Sequence, residues 1–278
     1  MTITVFFAVL GAALLHAGWN ALVRIGASKT ATMTILTIVQ AGLGLGFAMT
    51  MPWPGGEVWA WLLASGILHA AYKLFLAFAY EKGDLSRVYP IARGAAPLIV
   101  LGVSVALLRE QLSLTEVGAI LVLGFGILCM GLGAFRSGEA RGLVPLALAS
   151  ATMTAGYSLV DGLGARVAGD AALFVAWLFV FDGLFFMPII IALRGPSVLV
   201  ASVRGWAIGA AAAVLSYGAY AVAVWAMTEA PIALVTALRE TSILFAMLIG
   251  WVLLGERMDH LKLLSGTLIL AGVVLARL

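Results

Sequence analysis

The chain has 278 residues, of which 63% are apolar and 10% charged, with 16 Lys+Arg against 13 Asp+Glu and a formal charge of +3. A water-soluble domain carries about 25% charged residues, so a chain with a mean hydropathy of +1.12 lacks the polar surface that an aqueous fold requires. This excludes an ordinary soluble enzyme, a disordered chain and a nucleic-acid binder, and it leaves a polytopic helical membrane protein.

Runs of about 20 mainly apolar residues, separated by polar or Gly/Pro breaks, predict ten membrane helices. They cover 3–23, 33–51, 57–80, 86–108, 115–135, 142–164, 171–193, 205–228, 231–254 and 261–277. The connections between them are too short for an extramembrane domain. The first span lacks the basic n-region of a signal peptide and is read as a retained helix, with His16, Trp19 and Asn20 on one face. In the third span His69 and Lys73 are i,i+4, and in the fourth Tyr89, Arg93 and Pro97 follow the same stride. Ser113 and Glu116 form a capping box ahead of the fifth span. The sixth pairs Tyr157 with Asp161 on one face, and the eighth pairs Ser216 with Tyr220. Pro231 suits the first turn of the ninth, which carries Arg239 and Glu240, and Asp259 is placed to cap the tenth. The single cysteine, Cys129, rules out an internal disulfide and a Cys-based metal cage.

The two halves resemble each other. Residues 93–112 align without gaps to 239–258, which sets Arg93 on Arg239 and Glu110 on Glu256. A two-residue shift then brings Gly118 onto Gly266 and Gly124 onto Gly272, while Gly18, Trp19 and Asn20 match Gly156, Tyr157 and Ser158. Five spans per repeat is an odd number, so the second half enters the membrane inverted. Inverted repeats are the architecture of many secondary transporters, with the binding site near the midplane between the halves. The predicted fold is therefore an all-α integral membrane protein of ten transmembrane helices in two inverted five-helix repeats, residues 1–137 and 138–278.

Particular segments carry a family resemblance. Ala-Arg-Gly-Ala-Ala-Pro-Leu-Ile-Val-Leu (92–101) with Leu-Leu-Arg-Glu-Gln-Leu (107–112) is one, and Leu-Leu-Gly-Glu-Arg-Met (253–258) with Gly-Thr-Leu-Ile-Leu-Ala-Gly-Val-Val-Leu (266–275) is another. Together with the opening His16, Ala17, Gly18, Trp19 and Asn20, they resemble the EamA-type family of the drug/metabolite transporter superfamily. The second half departs from the pattern where Ile243 stands at the position of Pro97. The resemblance implies a ten-helix carrier with a central cavity that moves small metabolites or amino acids, often outward. It names no substrate.

An ionisable side chain at mid-bilayer costs about 2.5–3.5 kcal/mol on insertion scales, so each one is a functional candidate. His69, Lys73, Arg93, Arg239 and Glu240 lie well inside spans; His16, Asp161 and Asp182 lie nearer their edges. With Asn20, Trp19, Tyr89, Tyr157 and Tyr220 they are expected to line one water-accessible site. Arg93 and Arg239 suit either a substrate contact or a structural pairing with Glu240. Asn20 suits interhelical bonding as well as substrate, and Glu110 and Glu256 suit helix-start or salt-bridge roles. Pro97 marks either a moving bend or a packed kink. The net-basic set suits an anionic or zwitterionic metabolite, because guanidinium groups bind carboxylate and phosphonate in a bidentate fashion. His16, His69 or Glu240 could carry protons. No metal, cofactor or nucleic acid is expected; the lipid bilayer of the bacterial cytoplasmic membrane is, around a monomer or homodimer.

Two alternatives stay open, a membrane-embedded enzyme and a structural membrane subunit. The sequence shows no Asp-rich pair, nucleophile elbow or His-Glu-x-x-His helix. Orientation divides the indications. Arg24, Lys29, Lys82, Arg87, Arg136, Arg141, Arg194, Arg204, Arg257 and Lys262 fall in odd-numbered connections, which puts both termini outside by the positive-inside rule. The resemblance implies both termini in the cytoplasm.

Overall fold

The computed structural model describes the backbone of residues 1–25, 29–82, 85–135, 140–254, 258 and 260–278. It also describes their side chains, except at 24, 25, 29, 77, 80–82, 85–90, 130–135, 140–143, 253 and 254. Among the described residues all regular secondary structure is helical, without a strand. The helices are α1 (Ile3–Ile25), α2 (Lys29–Ala48), α3 (Gly56–Lys82), α4 (Leu85–Val103), α5 (Leu114–Phe135), α6 (Ala140–Ala168), α7 (Ala171–Arg194), α8 (Val203–Glu229), α9 (Ile232–Arg239), α10 (Ser242–Leu254) and α11 (His260–Leu275). A π-helical turn, Ser104–Leu108, continues α4, and a 3-10 turn, Pro196–Leu199, follows α7.

These elements fall on the ten expected runs, with the ninth run divided between α9 and α10. Among the described residues, seven segments have the length and hydropathy to cross a membrane: Ile3–Val23, Thr30–Ala48, Gly56–Leu76, Ile91–Leu108, Ala171–Arg194, Val203–Glu229 and Ile232–Val252. Leu114–Cys129 and His260–Leu275 are apolar but shorter. Helix α6 is long enough but is diluted by Ser150, Thr152, Thr154, Tyr157, Ser158 and Asp161. In hydrocarbon every backbone N–H and C=O must be satisfied internally, which is why such runs become helices. Large apolar side chains such as Phe7, Leu14, Ile67, Phe125, Leu184 and Trp251 point outward and stay exposed, as a lipid-facing surface demands.

Helix ends are held by specific side chains. Ser113 and Glu116 make the expected reciprocal box, with Ser113 N–H donating to Glu116 Oε2 at 2.9 Å and Glu116 N–H donating to Ser113 Oγ at 3.2 Å. Asp170 accepts from Ala172 N–H and Leu173 N–H at the start of α7, and Ser202 accepts from Gly205 N–H at the start of α8. Pro231 is the N-cap of α9 and has no hydroxyl or carboxyl to offer its open amides. Glu110, beyond the π turn, does this instead: its carboxylate accepts from Ile232 N–H at 2.9 Å and Ala233 N–H at 3.5 Å. Arg166 of α6 completes the junction by donating to the carbonyls of Met227 and Ala230 and pairing with Glu110 at 3.4 Å. The helix-start and salt-bridge roles expected of Glu110 are both present. Glu256, Arg257 and Asp259 lie outside the described residues.

Packing follows a regular scheme. Helix α3 lies on α6 and α7, α8 lies on α1 and α2, α2 packs against α7, and α5 packs against α11. Helix α4 lies against α5 and α6, and α1 lies against α9 and α10. Small residues allow the close approaches: a methyl group added to Gly44 would stand 2.5 Å from the carbonyl oxygen of Ala176. Trp53, Trp59 and Trp177 stack at centroid distances of 5.1 to 6.0 Å at one end of the bundle, in the manner of an interfacial aromatic belt.

Candidate functional site

The polar residues inside the spans converge on the middle of the bundle, where three ion-paired or hydrogen-bonded groups adjoin. In the first, Arg93 of α4 places Nε 2.7 Å from Oε2 of Glu240, at the break between α9 and α10. Its Nη2 lies 3.2 Å from Nε2 of His16 on α1. The other ring nitrogen of that histidine, Nδ1, accepts from the indole N–H of Trp19 at 3.3 Å. Asn20 uses its amide on its own helix, donating to the His16 carbonyl at 2.8 Å. The face expected from His16, Trp19 and Asn20 thus exists, with Trp19 and Arg93 both turned onto the histidine.

The second group is built on α3, α6 and α8. His69 Nε2 lies 2.9 Å from Asp161 Oδ2, and the Tyr220 hydroxyl donates to the same oxygen. Tyr157 stacks on the His69 ring at 4.1 Å between centroids, and Tyr72 leans on Tyr157 at 5.3 Å. One turn along α3, Lys73 forms the third group. Its Nζ is 2.6 Å from Asp182 Oδ2 of α7, donates to Thr37 Oγ1 of α2 at 3.0 Å, and lies over the Phe186 ring at 4.8 Å. Lys73 is therefore buried and paired.

Arg239, the last residue of α9, joins the first two groups. It is 3% exposed, and its guanidinium carbon lies 5.4 Å from the Tyr220 ring centroid. The backbone beyond it leaves α-helical bonding for one turn. Glu240 N–H bonds the Ala237 carbonyl, Thr241 N–H bonds the Leu238 carbonyl, and α10 begins at Ser242. This interruption occurs without proline or glycine. By contrast α4 runs unbroken through Pro97.

Buried polar groups normally find partners, yet several here have no hydrogen-bond partner among the described residues. They include Arg239 Nε and Nη2, Asp161 Oδ1, Asp182 Oδ1 and Glu240 Oε1, with the hydroxyls of Thr236, Thr241 and Ser242 around the break. Among the described residues, His, Cys, Asp and Glu nowhere gather into a group of three able to hold a metal ion.

Of the expected site residues, the structure brings together His16, Trp19, His69, Arg93, Tyr157, Tyr220, Arg239 and Glu240, with Lys73 adjoining. The side chain of Tyr89 lies outside the described residues. Asp161 and Asp182 looked peripheral in the sequence and are 0% and 1% exposed at the centre. Spacing held half of that signal, since Asp161 follows Tyr157 by one turn. Thr37 carried none.

Residues 142–278 match the model of the EamA-like transporter family. No curated protein matches the chain. A solved structure titled only "Crystal structure of protein" shares the fold, with a TM-score of 0.77, 19% identity, and coverage of 99% of this chain and 98% of that one. With its apolar spans, the chain is a multi-pass membrane protein whose residues 142–278 belong to the EamA-like transporter family, part of the drug/metabolite transporter superfamily.

Proposed function

We propose that the chain is a secondary carrier that exports a small metabolite bearing a negative charge, by alternating access between two inverted five-helix repeats, residues 1–137 and 138–278. The observation that carries this reading is the meeting of Arg93 with Glu240, the neighbour of Arg239. Arg93 and Arg239 are equivalent positions of the repeat. Equivalent residues that approach each other sit near the axis relating the two halves, and inverted-repeat carriers bind substrate at that place. Helix packing supports the same axis. Exchanging the halves span for span turns the α3–α6 contact into α8–α1 and the α3–α7 contact into α8–α2, and returns α2–α7 and α5–α11 to themselves.

In this reading Trp19, Asn20, His69, Lys73, Tyr89, Arg93, Tyr157, Tyr220, Arg239 and Glu240 surround the substrate path. His16, His69 and Glu240 are the proton-carrying candidates, and Pro97 is a hinge of α4. The interrupted helix supports a moving site, because broken spans in carriers present backbone and side-chain groups to cargo. Reconstitution in liposomes tests the proposal. Vesicles preloaded with unlabelled amino acids or 2-hydroxy acids should accelerate uptake of the labelled compound in a saturable manner; absence of counterflow across such a panel overturns it. Equal uptake under every imposed pH gradient removes the proton-coupled part.

A further inference from the structure

Resting on the carrier reading above, we infer that Glu110 is the latch of a gate at one end of the bundle, holding the two halves together there until its clasp opens. Chain direction puts the parts at one end: α4 with its π turn, α6 and α8 all finish there, and α5 and α9 start there. Glu110 belongs to the first half, and the groups it holds belong to the second. Its carboxylate accepts from Ile232 N–H at 2.9 Å and Ala233 N–H at 3.5 Å, and it pairs with Arg166 at 3.4 Å. Arg166 in turn donates to the carbonyls of Met227 at 2.9 Å and Ala230 at 3.0 Å. One carboxylate thus ties the end of α4 to α6 and α9 directly, and to α8 through Arg166.

An apolar seam lies along the same boundary. Between the clasp and Arg239 on α9, Ile232, Leu234, Val235 and Leu238 join Val100 and Leu101 of α4 in one buried cluster. Water entering from this end reaches Arg239 after α4 and α9 part, and their parting breaks the Glu110 bonds.

Two features set the clasp apart from an ordinary helix cap. Helix α9 does not carry its own, because its N-cap is Pro231, and its first amides are satisfied across the seam instead. When the halves separate, water at the end of the bundle can take over these amides. The turn that aims Glu110 is also strained. The π turn is followed by Arg109 at φ +53°, and Glu110 N–H bonds the Ser104 carbonyl at 3.1 Å. Among the described residues, Arg109 is the one non-glycine residue with positive φ. L side chains adopt that region at a cost, and such strain persists at switch regions where surrounding contacts enforce it. π turns likewise gather at functional sites. The aligned position in the other half is Gly255, a residue type that takes this region without the cost. Strain in the turn therefore opposes the clasp bonds and keeps the closed end releasable.

The test labels the full chain in right-side-out and inverted membrane vesicles with an impermeant maleimide, in the Cys129→Ser background. Leu114→Cys, at a residue 91% exposed at the start of α5, identifies the face that carries the clasp. Thr236→Cys, buried on α9, reports access to the centre. Glu110→Gln should speed labelling of Thr236→Cys from the clasp face by about fivefold or more, without speeding it from the opposite face. Arg109→Gly relieves the turn and should slow labelling from the clasp face, and it decides the matter alone if Glu110→Gln does not fold. A purely structural cap would loosen both faces alike, so equal changes from the two faces, no change, or a change confined to the opposite face overturns the inference. Counterflow in the parent beside such a result leaves the carrier standing. Face-selective shifts without counterflow keep the clasp and overturn the carrier reading alone.

Discussion

Arg93 and Arg239 occupy equivalent places in the two halves, yet only Arg93 has a carboxylate partner, Glu240, 2.7 Å from its Nε. Arg239, the residue before Glu240, has no acceptor for Nε or Nη2 among the described residues. The two arginines therefore respond differently to removal.

Arg93→Ala leaves Glu240 buried without its counter-charge, which costs about 3–5 kcal/mol in comparable buried pairs. The variant should melt well below the parent in detergent, and Arg93→Ala combined with Glu240→Gln should recover most of the loss. Thermal unfolding followed by size-exclusion chromatography checks both. An unchanged melting point in Arg93→Ala contradicts the pairing.

Lys73 joins α3 to α2 through Thr37 and to α7 through Asp182. Asp182→Asn or Lys73→Met alone strands the remaining charge and should destabilise by about 3–5 kcal/mol. Lys73→Met with Asp182→Leu replaces the pair by apolar groups of similar size and should return close to parental stability. Additive losses in the double variant would show that the pair is not the unit.

Glu110 supplies the anion at the start of α9. Its replacement by alanine opens the amides of Ile232 and Ala233 and leaves Arg166 with backbone carbonyls only. A loss of about 1–2 kcal/mol is expected, within the range of helix caps and of charges at helix ends. Because Glu110 lies at the α8–α9 junction, away from Arg239 and Asp161, the ranking of substrates should not change. Competition assays on Glu110→Ala test this.

Alternating access requires water to reach the centre from each side in turn. Cys129 is the single cysteine, so Cys129→Ser gives a clean background. Thr236→Cys then places a thiol on α9 at a position 0% exposed in this structure. A membrane-impermeant maleimide should label it slowly from either face of the vesicle. Labelling from one face only would argue against a carrier.

Much of this was legible in the sequence. Apolar runs marked the helices because a chain in hydrocarbon has no other way to satisfy its backbone. Ser113 and Glu116 announced the start of α5, and the shared stride of His69 and Lys73 identified one polar face of α3. Asp161 and Asp182 were harder to place, since their partners are 92 and 109 residues away and no local pattern encodes such pairing. The break at Glu240 and Thr241 was hidden for a related reason. It contains no proline or glycine and meets Arg93 of another helix, while the visible proline, Pro97, lies in a helix that continues through it. Glu110 capping a helix 122 residues downstream is a third contact of this long-range kind.

The central claim is that the buried polar groups between the halves form a transport site, and Arg239→Gln tests it most directly. This change keeps a hydrogen-bonding side chain of similar reach and leaves no carboxylate stranded, because Arg239 has no ion-pair partner among the described residues. Counterflow of the amino-acid and 2-hydroxy-acid panel in liposomes, set beside the melting point of the same preparation, is the measurement. The account predicts saturable counterflow in the parent and its loss in Arg239→Gln, with the melting point nearly unchanged. Undiminished counterflow in the variant would contradict it.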